Sequence, residues 1–193
     1  MPNFQQELDR LIAGLDSRPK LLLHSCCGPC SSYVIEYLSR YFDITVLFYN
    51  PNIHPKEEYE LRLKTQQQLI SALGGAVLEE SEYNPQLFFD AVKDLEQEKE
   101  GGARCKQCIA QRLEVTAKAA KQKDFDFFAS TLTVSPHKDA QFINQKGAEL
   151  SNIYGVTWLP SDFKKREGYK RSIELSKQFD LYRQDYCGCV FSK

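Results

Sequence analysis

The chain has 193 residues, 42% of them hydrophobic and 26% charged, which suits one globular domain able to bury a sizeable core. Its 25 basic and 26 acidic side chains leave a net charge of −1, so a globally basic nucleic-acid binder is excluded and any such partner must use a local patch. No apolar run approaches the roughly 20 residues that span a bilayer, and the start, MPNFQQELDRLIAGLDSRPK, lacks a basic segment followed by an apolar one. The expectation is a cytoplasmic protein with no membrane partner.

The elements alternate. Phe4, Leu8, Leu11 and Leu15 have helical spacing, and Leu21 to Ser25 reads as a short buried strand. Gly28-Pro29 breaks that strand and opens a helix carrying Val34, Tyr37, Leu38 and Tyr41. DITVLFY, Asp43 to Tyr49, is a second buried strand, ended by Asn50-Pro51-Asn52. From Pro55 a long helix runs through Glu58, Leu61, Thr65, Leu69 and Ala72 to Gly74-Gly75, with a short third strand at Ala76 to Glu79. A helix is predicted over 84–97, a turn at Gly101-Gly102 and another helix over 108–121. Phe125 to Thr133 is the fourth strand, Ser135-Pro136-His137-Lys138 the start of the next helix, and Gly155 to Leu159 the fifth strand. A helix from Arg166 and an irregular cysteine-bearing tail complete the chain.

Continuous apolar strands alternating with helices predict a three-layer α/β/α fold around a mainly parallel sheet. Ligands in such folds bind beyond the carboxyl ends of the strands. Cys26, Cys27, Asn50 and Ser135 all follow strands and are expected to meet at that rim. No linker or repeat divides residues 1–193, which read as a single catalytic domain with a C-terminal tail.

Seven cysteines are many for a reducing compartment, where a structural disulfide framework is unfavourable. They fall in three groups: Cys26, Cys27 and Cys30; Cys105 and Cys108; Cys187 and Cys189. The first two groups each enter a helix, where unpaired N–H groups favour thiolate, the metal-binding form. Spacing alone leaves a structural zinc on Cys27, Cys30, Cys105 and Cys108 and a [4Fe–4S] cluster equally open, with free or exchanging thiols as a third reading. A structural zinc would make the chain a zinc-stabilised cytosolic binding domain without redox activity, and would leave Cys26 and the third group without a task. A disulfide across the single glycine of Cys187-Gly188-Cys189 would close a small strained ring, which suits a labile redox pair more than a staple.

Together, CCGPC (Cys26 to Cys30), FYNPNIHPKEEY (Phe48 to Tyr59), CKQC (Cys105 to Cys108), TLTVSPHKD (Thr131 to Asp139) and YCGC (Tyr186 to Cys189) resemble the epoxyqueuosine reductases of the QueH type, over nearly the whole chain. The resemblance implies reduction of the epoxide of epoxyqueuosine in tRNA to the alkene, the last step of queuosine synthesis. It implies a [4Fe–4S] cluster on Cys26, Cys27, Cys105 and Cys108, a redox-active Cys187–Cys189 pair, an additional iron beside the cluster and an electron donor whose identity it leaves open. It also implies a fold similar to the nucleotide α-hydrolase-like (HUP) group that includes PP-loop ATPases. The phosphate loop of those ATPases is replaced here by CCGPCSS, which disfavours the remaining functional alternative, tRNA thiolation by a PP-loop enzyme with an iron–sulfur cluster.

Epoxide deoxygenation needs two electrons, two protons and loss of the oxygen as water. A metal that binds the oxygen would assist as a Lewis acid, and Cys30 is the sulfur left to hold one. Asp185, close to Cys187, is a candidate proton carrier or metal ligand. His24 and His137 are weaker candidates, the first more simply satisfying a backbone group and the second a helix start. Tyr49 and Asn50 suit core and turn roles as well as pocket lining. Lys164, Lys165, Arg166, Lys170 and Arg171 surround Tyr169, a pattern able to hold phosphates and stack an unpaired base, and tRNA is the expected ligand of that run.

Overall fold

The computed structural model describes residues 3–192. In chain order it contains α1 (Phe4–Ala13), β1 (Lys20–His24), α2 (Gly28–Leu38), β2 (Asp43–Phe48), α3 (Lys56–Leu73), β3 (Ala76–Glu80), α4 (Gln86–Ala91), α5 (Ala103–Gln122), β4 (Phe127–Ser130), α6 (Ala140–Tyr154), β5 (Thr157–Trp158) and α7 (Gly168–Gln178). Short 3-10 turns follow β4 at Thr131–Val134 and close the tail at Val190–Ser192. Among the described residues no helix is long and apolar enough to cross a membrane.

The five strands are all parallel, in the order β3-β2-β1-β4-β5. β1 is central because Leu21, Leu22 and Leu23 bury both of its faces. Leu21 and Leu23 point into one core with Leu8 of α1, Ile35 of α2 and Leu69 of α3, while Leu22 points into the other with Leu113 of α5 and Ile143 of α6. This two-sided burial, about 1.5–3 kcal/mol for each leucine, fixes the three layers. Strand order reverses between β1 and β4, so the loops after those strands flank the crevice where such sheets bind ligands.

Several predicted boundaries are corrected. The helix expected over 84–97 stops at Ala91, and Asp94 takes a left-handed φ of 65° that no helix continues. α5 starts at Ala103, not at 108, with Gly102 as its N-cap, so the Cys105/Cys108 pair lies on the helix rather than in a loop before it. β4 ends at Ser130 because the Ser130 hydroxyl accepts from the Leu132 N–H and turns the chain into the 3-10 segment. Ser135 to Lys138 is a loop: the helix waits for Asp139, whose carboxylate caps the Phe142 N–H at 3.0 Å. Gly155, placed in the fifth strand by its neighbours, is the left-handed C-cap of α6, and β5 keeps only Thr157 and Trp158.

Candidate functional site: a sulfur-lined rim

The first sulfur group is built locally. Cys27 is the extended N-cap of α2, and its Sγ accepts from the Cys30 N–H at 3.4 Å. Cys26 Sγ lies 3.8 Å from Cys27 Sγ, and the three sulfurs of Cys26, Cys27 and Cys30 lie within 4.8 Å of one another. Gly28 lets the start of α2 rest on α3, since a Cβ there would meet Thr65 Cγ2 at 2.9 Å and the Thr65 carbonyl oxygen at 3.0 Å. Gln66 of α3 fastens the turn by accepting from the Ser25 hydroxyl at 2.7 Å and the Ser31 hydroxyl at 2.8 Å. Hydrogen bonds from the Cys27 and Cys30 thiols, with the Arg112 charge behind them, hold Cys26 well below the usual thiol range against the opposing effect of burial. As the donor, Cys27 is pushed up to about 12. Cys30 is raised too, first by its bond to Cys26.

The histidine and asparagine at this rim are structural. His24 Nε2 donates to the Tyr49 carbonyl at 3.1 Å, and its Nδ1 accepts from the Ser130 hydroxyl at 3.0 Å, which ties the ends of β1, β2 and β4 together. Burial lowers His24 to about 4, so it stays a neutral strut. Asn50 Nδ2 donates to the Ser25 carbonyl at 2.8 Å.

The second group is assembled from afar. Cys105 and Cys108 at the start of α5 and Cys187 and Cys189 of the tail line a cavity of about 10 Å³ with Arg112 and Lys138. All seven cysteines are free thiols. Lys138 Nζ lies 3.3 Å from Cys187 Sγ. The Cys189 thiol and then the Lys138 and Arg112 charges hold Cys187 well below the usual range, although burial opposes them, and Cys189 is driven up as the donor. Burial also raises Cys108. Burial, the largest single effect, would lower Lys138, but the Cys187 charge and hydrogen bond together with the Cys105 charge outweigh it and raise the ammonium.

Beside it opens a cavity of about 540 Å³, whose wall includes Cys26, Cys30 and Cys187. Arg112, Lys138 and Cys187 line both cavities. The larger one is also walled by Tyr169, Arg183, Gln184 and Asp185, with His137 and Ser135 at the β4 side. Asp185 is exposed, as is His137, which caps no helix. Gln184 presents a buried Oε1 with no partner among the described residues.

The cationic run is distributed differently from expectation. Lys164 pairs with Asp162 at 2.7 Å, Arg166 with Asp9, Lys170 with Glu167 at 3.3 Å and Arg171 with Glu36 at 2.7 Å. Lys165 alone of the five has no ion pair among the described residues, and Tyr169 faces the large cavity with the Arg183 guanidinium 6.0 Å from its ring.

Sequence reasoning missed the buried arginines and Lys138. A signal existed for Arg112, a cation one turn after Cys108 between the apolar Ile109 and Leu113, which is 2% exposed and whose Nε donates to the Cys108 carbonyl at 3.3 Å. Arg62, one turn after Glu58 on α3 and 1% exposed, had the same signal.

These features define a class: a doubly wound α/β protein whose switch-point crevice is lined by thiols. Two solved structures share the fold: the U34-tRNA thiolase NcsA of Methanococcus maripaludis, solved with its [4Fe–4S] cluster (TM-score 0.61, 12% identity, 98% of this chain and 67% of that one), and a predicted subunit of tRNA methyltransferase from Methanocaldococcus jannaschii (TM-score 0.55, 15% identity, 82% and 76%). The profile of the family described as epoxyqueuosine reductase QueH matches residues 21–193. Among curated relatives, the epoxyqueuosine reductase QueH of Staphylococcus epidermidis is 48% identical over 98% of this chain and 84% of its own length, and that of Thermotoga maritima is 36% identical over 89% of each. The chain belongs to the epoxyqueuosine reductase QueH family. Family membership favours the reductase reading over both the zinc-stabilised binding domain and the thiolation enzyme.

Proposed function

We propose that this protein reduces the epoxide of epoxyqueuosine in tRNA to the alkene of queuosine, in the cytoplasm, with residues 1–193 acting as one catalytic domain. The observation that carries this reading is that Cys187, Arg112 and Lys138 line both the sulfur-walled pocket and the open cavity, so a redox thiol and two cations face whatever enters. A cavity of about 540 Å³ is large enough for one nucleoside and too small for a folded RNA segment, which supports a base turned out of its strand. In this reading Tyr169, on the cavity wall, stacks on it, and Lys165, free of an ion pair among the described residues, holds phosphate outside.

The donor set fits an iron–sulfur cofactor: every cysteine is a free thiol, Cys26, Cys27 and Cys30 converge, Cys105 and Cys108 line the adjoining small cavity, and the Arg112 charge favours thiolate at Cys26 and Cys108. In this reading Cys26, Cys27, Cys105 and Cys108 hold a [4Fe–4S] cluster, and Cys30 is left for an additional iron. When bound, the cluster supplies electrons one at a time beside the cavity.

The chain's own groups account for the rest. Cys187 and Cys189 as a dithiol release two electrons and two protons on closing to a disulfide, and an epoxide taking up two electrons and two protons gives an alkene and water. Lys138 holds a proton 3.3 Å from Cys187 Sγ and lines the cavity, so it can deliver that proton to the departing oxygen. Asp185 on the same wall carries the second. An external two-electron donor returns the disulfide to the dithiol. Anaerobic reconstitution followed by assay on epoxyqueuosine-containing tRNA tests the reading. Brown protein with iron, sulfide and queuosine product is expected; colourless protein holding one zinc and leaving the epoxide intact would overturn it.

A further inference from the structure

We infer that Arg62 is a positioning residue: its buried guanidinium clamps the two peptide carbonyls on either side of the Cys187 Cα and thereby aims the Cys187 thiol into the sulfur-lined pocket. The inference rests on the redox role proposed for Cys187.

Arg62 lies on α3, far in sequence from the tail, with its side chain 2% exposed. Nε is neutralised by Glu58 one turn earlier at 2.6 Å, and the Glu58 carboxylate is itself fixed by the Tyr182 hydroxyl at 3.1 Å. The two terminal nitrogens then reach the tail, Nη1 donating to the Cys187 carbonyl at 3.0 Å and Nη2 to the Tyr186 carbonyl at 3.3 Å. The guanidinium carbon also sits 5.2 Å from the centre of the Tyr186 ring. A planar fork with donors in fixed directions can hold two successive carbonyls at once, which a lysine ammonium on a flexible stem cannot.

The tail is shaped for this grip. Gly188 has φ of +108°, and a Cβ there would lie 3.0 Å from Arg62 Nη1. Its carbonyl accepts from the His54 N–H at 2.8 Å, a second anchor on the same side. Opposite, Lys138 meets the Cys187 sulfur. Cys187 is therefore held by backbone from α3 and by side chain from the loop after β4. A buried arginine serving only the core would not direct its free donors at the one stretch of tail that carries the thiols.

Hydrogen exchange and turnover of Arg62→Gln, Arg62→Lys and Gly188→Ala test the clamp. In Arg62→Gln, exchange over residues 182–190 is expected to rise at least tenfold while the sheet stays protected. kcat should fall at least tenfold, with KM for tRNA within about twofold and bound iron unchanged. Arg62→Lys should recover only part of kcat, and Gly188→Ala, which pushes the tail off the fork, should reproduce the Arg62→Gln pattern. Unchanged tail exchange in Arg62→Gln, or a rise spread evenly through the molecule, overturns the clamp; if that variant does not fold, unchanged tail exchange in Gly188→Ala does so. Exchange is read without substrate, so a wild-type protein that fails to convert the tRNA would refute the function and leave the clamp still decided by exchange.

Discussion

The two sulfur groups are made in opposite ways. Cys26, Cys27 and Cys30 are shaped by a strand end, a glycine, a proline and one helix turn within a few residues, and Gln66 of α3 only fastens the result. Cys187 gains its place through partners distant in sequence: the Arg62–Cys187 bond spans 125 positions and the Lys138–Cys187 bond 49. A locally built group is rigid wherever its strand and helix are rigid. A tail held by contacts that lie off the sheet can be opened and closed without disturbing the strands, which suits the dithiol role proposed for Cys187 and Cys189.

The largest expected effect separates the two groups by task. Cys26→Ser should lose most bound iron and, with it, all measurable turnover, because a proposed ligand and the most acidic thiol of the turn disappear together. Cys187→Ser should abolish turnover to the same degree while keeping its iron. Iron and sulfide analysis of both proteins, purified without oxygen, checks the contrast. Loss of cluster iron from Cys187→Ser would make the tail a ligand rather than a redox partner and merge the two groups into one.

The same contrast explains what was legible beforehand. Leu21-Leu22-Leu23 followed by two cysteines and Gly28-Pro29 announces a buried strand feeding a helix, because apolar run, breaker and N-terminal proline are all local signals. The sheet followed from repetition of that pattern. The start of α5 was hidden because Ala103 to Gln107 carries no apolar period, and the glycines before it looked like a turn when one of them is the cap. The acidic partners of Lys164, Arg166, Lys170 and Arg171 were invisible where they lie elsewhere in the chain, at Asp9 and Glu36, so the run looked more cationic than it is. Arg62 and Lys138 act on residues that only the fold brings near, and no spacing rule reaches across such distances.

A smaller effect sharpens the local half of the comparison. Gly28→Ala puts a methyl 2.9 Å from Thr65 Cγ2 and 3.0 Å from a backbone oxygen that cannot swing away. α2 must then lift from α3, at a cost of about 1–3 kcal/mol by analogy with overpacked cores. Thermal unfolding should show the lower midpoint, and iron content should fall with it, since the turn that moves carries three thiols. If stability drops while iron binding is intact, the sulfur turn tolerates displacement and its local rigidity is not what the cofactor needs.

The smallest effect concerns the cations around Tyr169, where the same division between paired and unpaired groups applies. Lys165 is exposed and has no ion pair among the described residues, so Lys165→Glu should weaken tRNA binding several-fold and flatten its salt dependence. Arg171 already holds Glu36 with two bonds of 2.7 and 3.0 Å and Glu174 with a third, so Arg171→Ala should change tRNA affinity less than Lys165→Glu. Its effect falls on the α7–α2 contact instead. The Arg171 hydrogen bond lowers the Glu36 carboxyl below its ordinary value, so the pair stabilises the fold above the usual carboxylate range and loses that contribution as pH falls through the lowered value. In acid unfolding Arg171→Ala should therefore converge on the parent protein, and a larger loss of tRNA affinity in Arg171→Ala than in Lys165→Glu would show that ion pairing on this face yields to the nucleic acid.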